Sequence, residues 1–579
     1  MIYILYCLFI SLNLYTFFDI NDISEQIFIA QKPKETSEIN SLKELKSSLK
    51  SNSLFIIKSN INLNNEVFQF PSNVTLRFDG GSFFNGYLKG NFNIESVGNY
   101  EIFKNVEGDF TINKSTPQMF GADNYGERDS YRAIQKAIDH SELIEIPSGI
   151  YKVTRTIRCK SNRRIVGLGY VKIISEIPKY SNQRDGLKDG SIINTSVFAI
   201  RGEEYGYSTS QFYNTSGDFL CTMNMPLIED FKFNRNTLVL KEMVDMKNLS
   251  VGDYIHIGEG LGYWHNVVSE IAQIKKINNN TLTLTENLRF NYSTKENSIG
   301  NFFKLVVPAQ QPGGTIKGYP DISKFYPSGI RKIYPISNVS IENITIDCSS
   351  DLSDQKTGII IMLSKNIILK NINFQNSRLW TCDSQDITYD SCIFYNYNNY
   401  LANGSNNIRI LNCNFHAPFQ IEEGASNILI NKCSFDNTSA TYNSVIAHVS
   451  NIKIDNCTFR YNKNNVPNVK INTAVNLEIL NSNFEGGSPN ILSQNISFDA
   501  KFSNNKYFNR FKSNKDITKY YNSQPTIVNV NTKIYSGQSA IYNESKTHPI
   551  QILNSKVQNG VGGKWRGDYI NQNNVKFKN

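Results

Sequence analysis

The nine residues Asn407-Ile408-Arg409-Ile410-Leu411-Asn412-Cys413-Asn414-Phe415 place apolar side chains at offsets 1, 3, 6 and 8, with Asn412 between the two runs. Period two on each side of a break reads as two short strands joined by a bend. The pattern also begins at Asn338, Asn366, Asp386, Asn427, Asn451 and Asn476, so that successive units are 28, 20, 21, 20, 24 and 25 residues apart. A third apolar alternation precedes the unit, as in Phe419-Gln420-Ile421-Glu422 and Ser444-Val445-Ile446. One repeat therefore holds three strands and three turns. Steps near 20 residues suit one coil of a parallel β-solenoid, whose coils stack about 4.8 Å apart through backbone hydrogen bonds.

Stacking explains why each offset keeps its residue type, because equivalent positions lie directly over one another. Offset 6 carries Ile344, Ile372, Cys392, Cys413, Cys433, Cys457 and Ser482. The four cysteines read as small apolar packing residues rather than disulfide partners. Offset 8 carries Phe374, Phe394, Phe415, Phe435, Phe459 and Phe484, an interior aromatic stack. Offset 5 carries Asn343, Asn371, Asn412, Asn456 and Asn481, whose amides can bond the bent backbone and each other. Stacked Asn, Phe and Cys columns resemble the right-handed parallel β-helix of pectate-lyase-like proteins.

A second resemblance covers about thirty residues. Phe120-Gly121-Ala122-Asp123-Asn124-Tyr125-Gly126, Asp129, Ala133-Ile134-Gln135-Lys136-Ala137-Ile138-Asp139 and Ile146-Pro147-Ser148-Gly149-Ile150-Tyr151 are similar, in order, to a signature of the pectate lyase superfamily. That family's Gly-Asp-Gly is here Asn124-Tyr125-Gly126. Physically, Asp129 can cap a short helix with Ala133, Ile134, Ala137 and Ile138 on its apolar face, and such a helix can cover a solenoid end. The fold expected is all-β, a right-handed parallel β-helix of three-strand coils with an N-terminal capping helix and an inserted β module. Residues 1–30 read as a signal peptide or docking segment, 40–115 as an N-terminal β region, a half-helix or sandwich, and 116–178 as the capping helix and first coils. The repeat is lost over 179–335, where Val251-Gly252-Asp253-Tyr254-Ile255-His256-Ile257 and Asn280-Thr281-Leu282-Thr283-Leu284 suggest the module. Main coils fill 336–505, and further coils 506–579.

Composition narrows the partners. The 579 residues carry 60 Lys and Arg against 51 Asp and Glu, a net +9 with no dense basic block, which argues against nucleic acid while leaving an acidic polymer open. Nine cysteines form no Cys-x-x-Cys pair, which removes the common zinc-ribbon and thioredoxin readings. Met1 to Phe18 is apolar apart from Ser11 and Asn13, followed by Phe28-Ile29-Ala30 as a cleavage site, but it lacks a basic start. No integral span is expected, and the location read is extracellular or a cell or virion surface.

A β-helix does not fix function, so the reading rests on outward side chains. The resemblance implies a substrate lying along the strand before each Asn unit. At the turn into that strand, one residue past the Phe column, stand Gln375, Tyr395, His416, Asp436, Arg460 and Glu485. His416 and Asp436 are expected within hydrogen-bond reach, flanked by Arg460. Glu422, followed by Glu423, alternates outward on the same face. A carboxylate pair such as Glu422 and Asp436 is what glycoside hydrolysis requires. The catalytic candidates are thus Glu422, Asp436 and His416, and the substrate contacts Arg378, Arg460, Tyr395, Tyr400 and Glu485. In a lyase, Arg378 or Arg460 would neutralise a uronate while His416 or Lys470 takes its α-proton. Tyr397 adds an aromatic surface, Trp380 falls at an inward-like offset, and His448 reads as structural. His140, His256, His265 and His548 have no partner evident in sequence. No Asp cluster demands calcium, although the acidic turns leave it open, and no other cofactor is expected. The function expected is cleavage of an extracellular polysaccharide by hydrolysis or β-elimination. The alternative is a non-catalytic glycan-binding tailspike or surface adhesin, with which a homotrimer would go.

Overall fold

The computed structural model describes residues 35–96, 100–178 and 196–204, most of 225–292, and 326–351. It further describes 356–436 apart from 403 and 423, 444–461, 469–486, and short strands between 491 and 578. The expected signal peptide lies outside the described residues, as do Glu423, His265 and His548.

Residues up to Lys114 form one compact unit, itself a short stack of parallel coils. Strand 35–39 pairs with 53–57, which pairs with 74–78, and that with 92–96. A second face runs 60–62, 82–84, 103–104 and a third 67–69, 87–89, 107–109. The interior of this unit is apolar, with Phe55, Leu76, Phe83, Leu88 and Phe103 buried.

The second unit begins at Ser115. Helix Tyr131–His140 buries Ala133, Ile134, Ala137 and Ile138. Its N-cap position is Ser130, and Asp129 accepts from Tyr131 N at 3.1 Å and Thr154 Oγ1 at 2.6 Å. Parallel coils follow. On the first face, strand segments 338–343, 366–371, 385–390, 406–411, 426–431, 450–455 and 475–480 pair in register. The second face continues each across a bend, from 345–347 through 373–375, 393–394, 414–415, 434–436, 458–461 and 483–486. The third comprises 198–201, 357–362, 378–382, 399–402, 419–421, 444–447 and 469–472. The solenoid is thus all-β and parallel, in three-strand coils.

Two turns per coil depend on left-handed backbone, which asparagine tolerates better than other side-chain-bearing residues. At offset 5 the φ angles of Asn343, Asn371, Asn412, Asn456 and Asn481 lie between 49° and 59°, and Asn338, Asn366, Asn407, Asn427 and Asn451 at offset 0 are equally positive. Each position carries an amide ladder. Asn371 donates to Asn343 at 2.9 Å, and Asn366 to Asn338 at 2.7 Å. Inside, the rings of Phe374, Phe394, Phe415, Phe435 and Phe459 stack nearly parallel at 4.6–4.8 Å, the coil spacing itself. Cys392, Cys413, Cys433 and Cys457 are free buried thiols that donate to backbone carbonyls.

Between 203 and 334 the chain leaves the solenoid, after third-face strand 198–201 and before first-face strand 336–347. It forms an antiparallel sheet in the order 203–204, 326–334, 254–260, 266–278, 281–284, 237–239. Pairing of 225–226 with 326–334 and a bridge from Leu227 to Leu240 close that sheet on itself. Its own core contains Phe231, Leu238, Leu240, Ile255, Ile257, Leu282, Leu284 and Tyr292.

Candidate functional site

The outward residues of the third face make a continuous floor. In strand Arg378–Cys382, Leu379 and Thr381 point inward and are buried, so Arg378 and Trp380 face out. The expectation that Trp380 belongs to the interior is therefore corrected: it is half-buried and lies at the register position of Tyr400 and Gln420 in the next two coils. Trp380 and Tyr400 pack ring to ring at 5.2 Å and 31°. Arg378 lies over the Tyr400 ring at 5.9 Å, and Lys356 over Tyr397 at 5.9 Å. Arg378 and Lys356 are adjacent, joined by a backbone bond from Arg378 N to Lys356 O of 2.9 Å. Lys356, with a φ of 41°, carries no motif that reveals this contact in sequence.

One rim of the floor is the turn that follows the Phe column. Tyr395 and His416 stack there at 4.7 Å and 9°. The hydrogen bond expected between His416 and Asp436 is not formed: the imidazole lies flat against the Tyr395 ring, while the His416 backbone N–H donates to Phe394 O at 2.8 Å. Asp436, Arg460 and Glu485 occupy successive coils in register, as their common offset requires. Lys470 stands in a later third-face strand, in register with Val445.

Glu422 stands elsewhere. Its backbone bonds Leu401 O at 2.9 Å just past strand Phe419–Ile421, at the exit of the third face, whereas His416 and Asp436 stand at its entrance. Strand Phe419–Ile421 and the turn before it lie between Glu422 and the column that holds His416 and Asp436. Glycosidase pairs are separated by about 5–9.5 Å. Glu422 stands just past the third-face strand Phe419–Ile421, and Asp436 ends the second-face strand Ser434–Asp436.

The opposite rim is the inserted module. Met362, Leu363 and Cys382 at the exit of the third face pack with Ile271 and Ile333 of the module, with Tyr254 and Trp380 against them. Gln385 makes a two-way backbone clasp with Ile271, at 2.7 and 2.9 Å, and Asn406 donates to Ser269 O at 2.7 Å. Asp386 replaces Asn in the offset-0 ladder, and Arg289 of the module binds it through both terminal nitrogens at 2.7 and 3.2 Å. Deeper, Arg331 donates to His256 Nδ1 at 3.0 Å, while His256 Nε2 is 3.7 Å from Asp383 Oδ1, all three side chains being buried. Burial and the Arg331 charge hold His256 well below its ordinary pKa, so it is neutral. His256 thus gains partners that sequence could not supply, since one of them lies 127 positions away.

Among the described residues, no helix is long and apolar enough to cross a membrane, and no group of three or more His, Cys, Asp or Glu could hold a metal ion. No protein-family model matches the sequence, and no curated protein aligns with it significantly. Among solved structures, the chain is similar to the tailspike protein gp49 from Pseudomonas phage LKA1, with 13% identity over 80% of this chain and 81% of that one, at a TM-score of 0.44. It is also similar to the A-module of the Azotobacter vinelandii mannuronan C-5 epimerase AlgE6, at 11% identity, 80% and 100% coverage, and a TM-score of 0.40. The Streptococcus pneumoniae surface adhesin PfbA matches at 12% identity, 79% and 93% coverage, and a TM-score of 0.35.

Proposed function

We propose that the chain binds an extracellular polysaccharide along the third face of its solenoid, at a cell or virion surface. The observation that carries this reading is the outward Trp380–Tyr400 pair with Gln420 beneath it, walled by the module on one side and the Tyr395–His416 turn on the other. Sugar rings stack on such aromatic faces, and a floor repeating once per coil suits a repeating polymer. The placement of Glu422 after the third-face strand and of Asp436 at the end of the second-face strand weighs against hydrolysis by that pair. A second reading is β-elimination, favoured by the adjoining rings of Tyr395 and His416 at the rim, with Arg378 on the neighbouring strand to neutralise a uronate.

Purified full-length protein, incubated with neutral and acidic polysaccharides, separates these readings. Binding without new reducing ends is the expected result. Unsaturated-uronate absorbance that disappears in His416→Ala would establish the lyase. Reducing ends without absorbance, lost in Glu422→Gln/Asp436→Asn, would restore the hydrolase and displace the binding reading. Light-scattering mass on the same sample distinguishes a homotrimeric spike from a monomer.

A further inference from the structure

Three buried groups meet where the module rests on the solenoid. His256 and Arg331 stand opposite each other on the paired module strands Tyr254–Gly260 and Tyr326–Tyr334, and Asp383 lies in the solenoid turn between strands Arg378–Cys382 and Gln385–Asp390. Arg331 Nε donates to His256 Nδ1 at 3.0 Å, so the imidazole is neutral and its single proton is on Nε2. That N–H faces Asp383 Oδ1 across 3.7 Å, too far for a hydrogen bond, and Arg331 Nη2 stands 3.8 Å from Asp383 Oδ2. A second proton on His256 would have to enter at Nδ1. It would set one N–H against another and place two cations side by side where water is excluded, so the docked arrangement admits only the neutral ring. Burial and the Arg331 charge accordingly hold its pKa well below 6.5, and once the ring is hydrated it returns toward that value.

The carboxyl groups at the seam act in other senses. Glu270, on the strand paired with that of His256, accepts from Arg289 N at 3.0 Å and Tyr292 Oη at 2.8 Å. Burial raises its pKa, so its protonation favours the packed state as pH falls. Burial also raises Asp386, but the Arg289 bonds outweigh it and hold that carboxyl below its ordinary range, so it is lost only in stronger acid. Asp253 is engaged by Lys332 at 2.7 Å. The clasps from Gln385 to Ile271 and from Asn406 to Ser269 are neutral.

We propose that the module is an acid-released wall of the third-face floor, with His256 as the group whose protonation frees it. Release uncovers Met362, Leu363 and Cys382, on which Ile271 and Ile333 of the module pack. A ring that is neutral when docked and protonated when free leaves docking at full strength above pH 6.5 and weakens it by up to tenfold per unit below, roughly thirtyfold between pH 8 and pH 5.

Cys382 reports the docked state, being a buried free thiol beneath the module, whereas Cys413 and Cys433 lie inside the solenoid. The full chain is labelled with 4,4′-dithiodipyridine at a series of pH values from 8 to 5, and the modified cysteines are identified by peptide mapping. Each rate is divided by that of the urea-unfolded chain at the same pH, which removes the thiol's own titration. The expected result is a fall in Cys382 protection of about ten- to thirtyfold, reversible on return to pH 8, with Cys413 and Cys433 protected throughout. His256→Gln, whose amide accepts from Arg331 but does not titrate, should make the Cys382 profile flat, and Glu270→Gln should leave the fall in place. Protection of Cys413 at pH 8 shows that a variant is folded. If His256→Gln does not fold, the wild-type slope decides: a fall beginning near pH 6.5 supports the proposal, and one confined to pH below about 4.5 assigns release to the carboxylates and overturns it. A flat wild-type profile, the same fall in a folded His256→Gln protein, or joint loss of protection at Cys413 also overturns it. So does stronger protection in acid, which would mean that protonated His256 turns to Asp383 and tightens the seam.

Discussion

Asp123 shows how single residues hold the repeat's entry. Its Oδ2 accepts from the backbone N–H groups of Arg128 at 2.9 Å and Glu127 at 2.6 Å, and these bonds hold its carboxyl below the ordinary range. A depressed carboxylate contributes stability above its unfolded pKa and loses it as pH falls through the folded one. Asp123→Asn is therefore expected to cost about 1–2 kcal/mol near neutrality, with the deficit against wild type closing as pH falls through the lowered folded-state pKa, as measured by urea unfolding across pH. The cysteine column makes the opposite point. Thiol–thiol hydrogen bonds along the column, together with burial, push the pKa values of Cys413, Cys433 and Cys457 upward, and burial alone takes Cys159 to about 12. Such thiols are poor nucleophiles. Iodoacetamide at pH 8 should leave them unmodified until the chain unfolds, and Cys433→Val should cost under about 1.5 kcal/mol as a near-isosteric swap. Labelling of these cysteines at the rate of free thiols in the native protein would contradict that packing role.

At the scale of elements, the solenoid and its module are joined by substitutions within an otherwise regular ladder. Asp386 stands where neighbouring coils carry Asn, and that change lets it receive Arg289. Asp386→Asn should preserve the amide ladder yet weaken the clasp, which is best read by limited proteolysis of the module with the solenoid core still resistant. Phe415 packs against Phe394, Phe435 and Phe419 at 4.6–4.8 Å, so Phe415→Ala should cost about 3–5 kcal/mol, read by thermal and denaturant unfolding. These elements also show what was legible beforehand. Offset 5 and offset 8 announced the bend and the Phe stack, because identical neighbours at one coil spacing leave a periodic trace in sequence. The second left-handed column at offset 0 was visible as Asn but not as a bend, since period two continues across it. The module seam left no periodic trace, because Arg289, His256 and Arg331 meet Asp386 and Asp383 through tertiary contacts alone. Trp380 was misplaced because inward and outward residues differ by one position, and a one-residue shift in strand register exchanges the faces.

For the whole molecule, the parallel stack converts a 20-residue sequence period into a long face along which a polymer can lie. The candidate acids illustrate why that conversion could not be completed from sequence. Glu422 follows the third-face strand Phe419–Ile421 while Asp436 ends the second-face strand Ser434–Asp436, an arrangement that the common outward alternation did not reveal. Aromatic groups instead adjoin, because stacking one coil apart brings Trp380 to Tyr400 and Tyr395 to His416. The central claim is that the Trp380–Tyr400 floor contacts a glycan, and one of the chain's three tryptophans is well placed to report it. The direct measurement is tryptophan fluorescence during titration with an oligosaccharide that binds the full chain, comparing wild type, Trp380→Phe and Tyr400→Ala. The account predicts a saturable change in wild type, its loss in Trp380→Phe, and an affinity at least about tenfold weaker in Tyr400→Ala. A change of the same size and affinity in all three proteins would contradict it, because the glycan would then be held elsewhere.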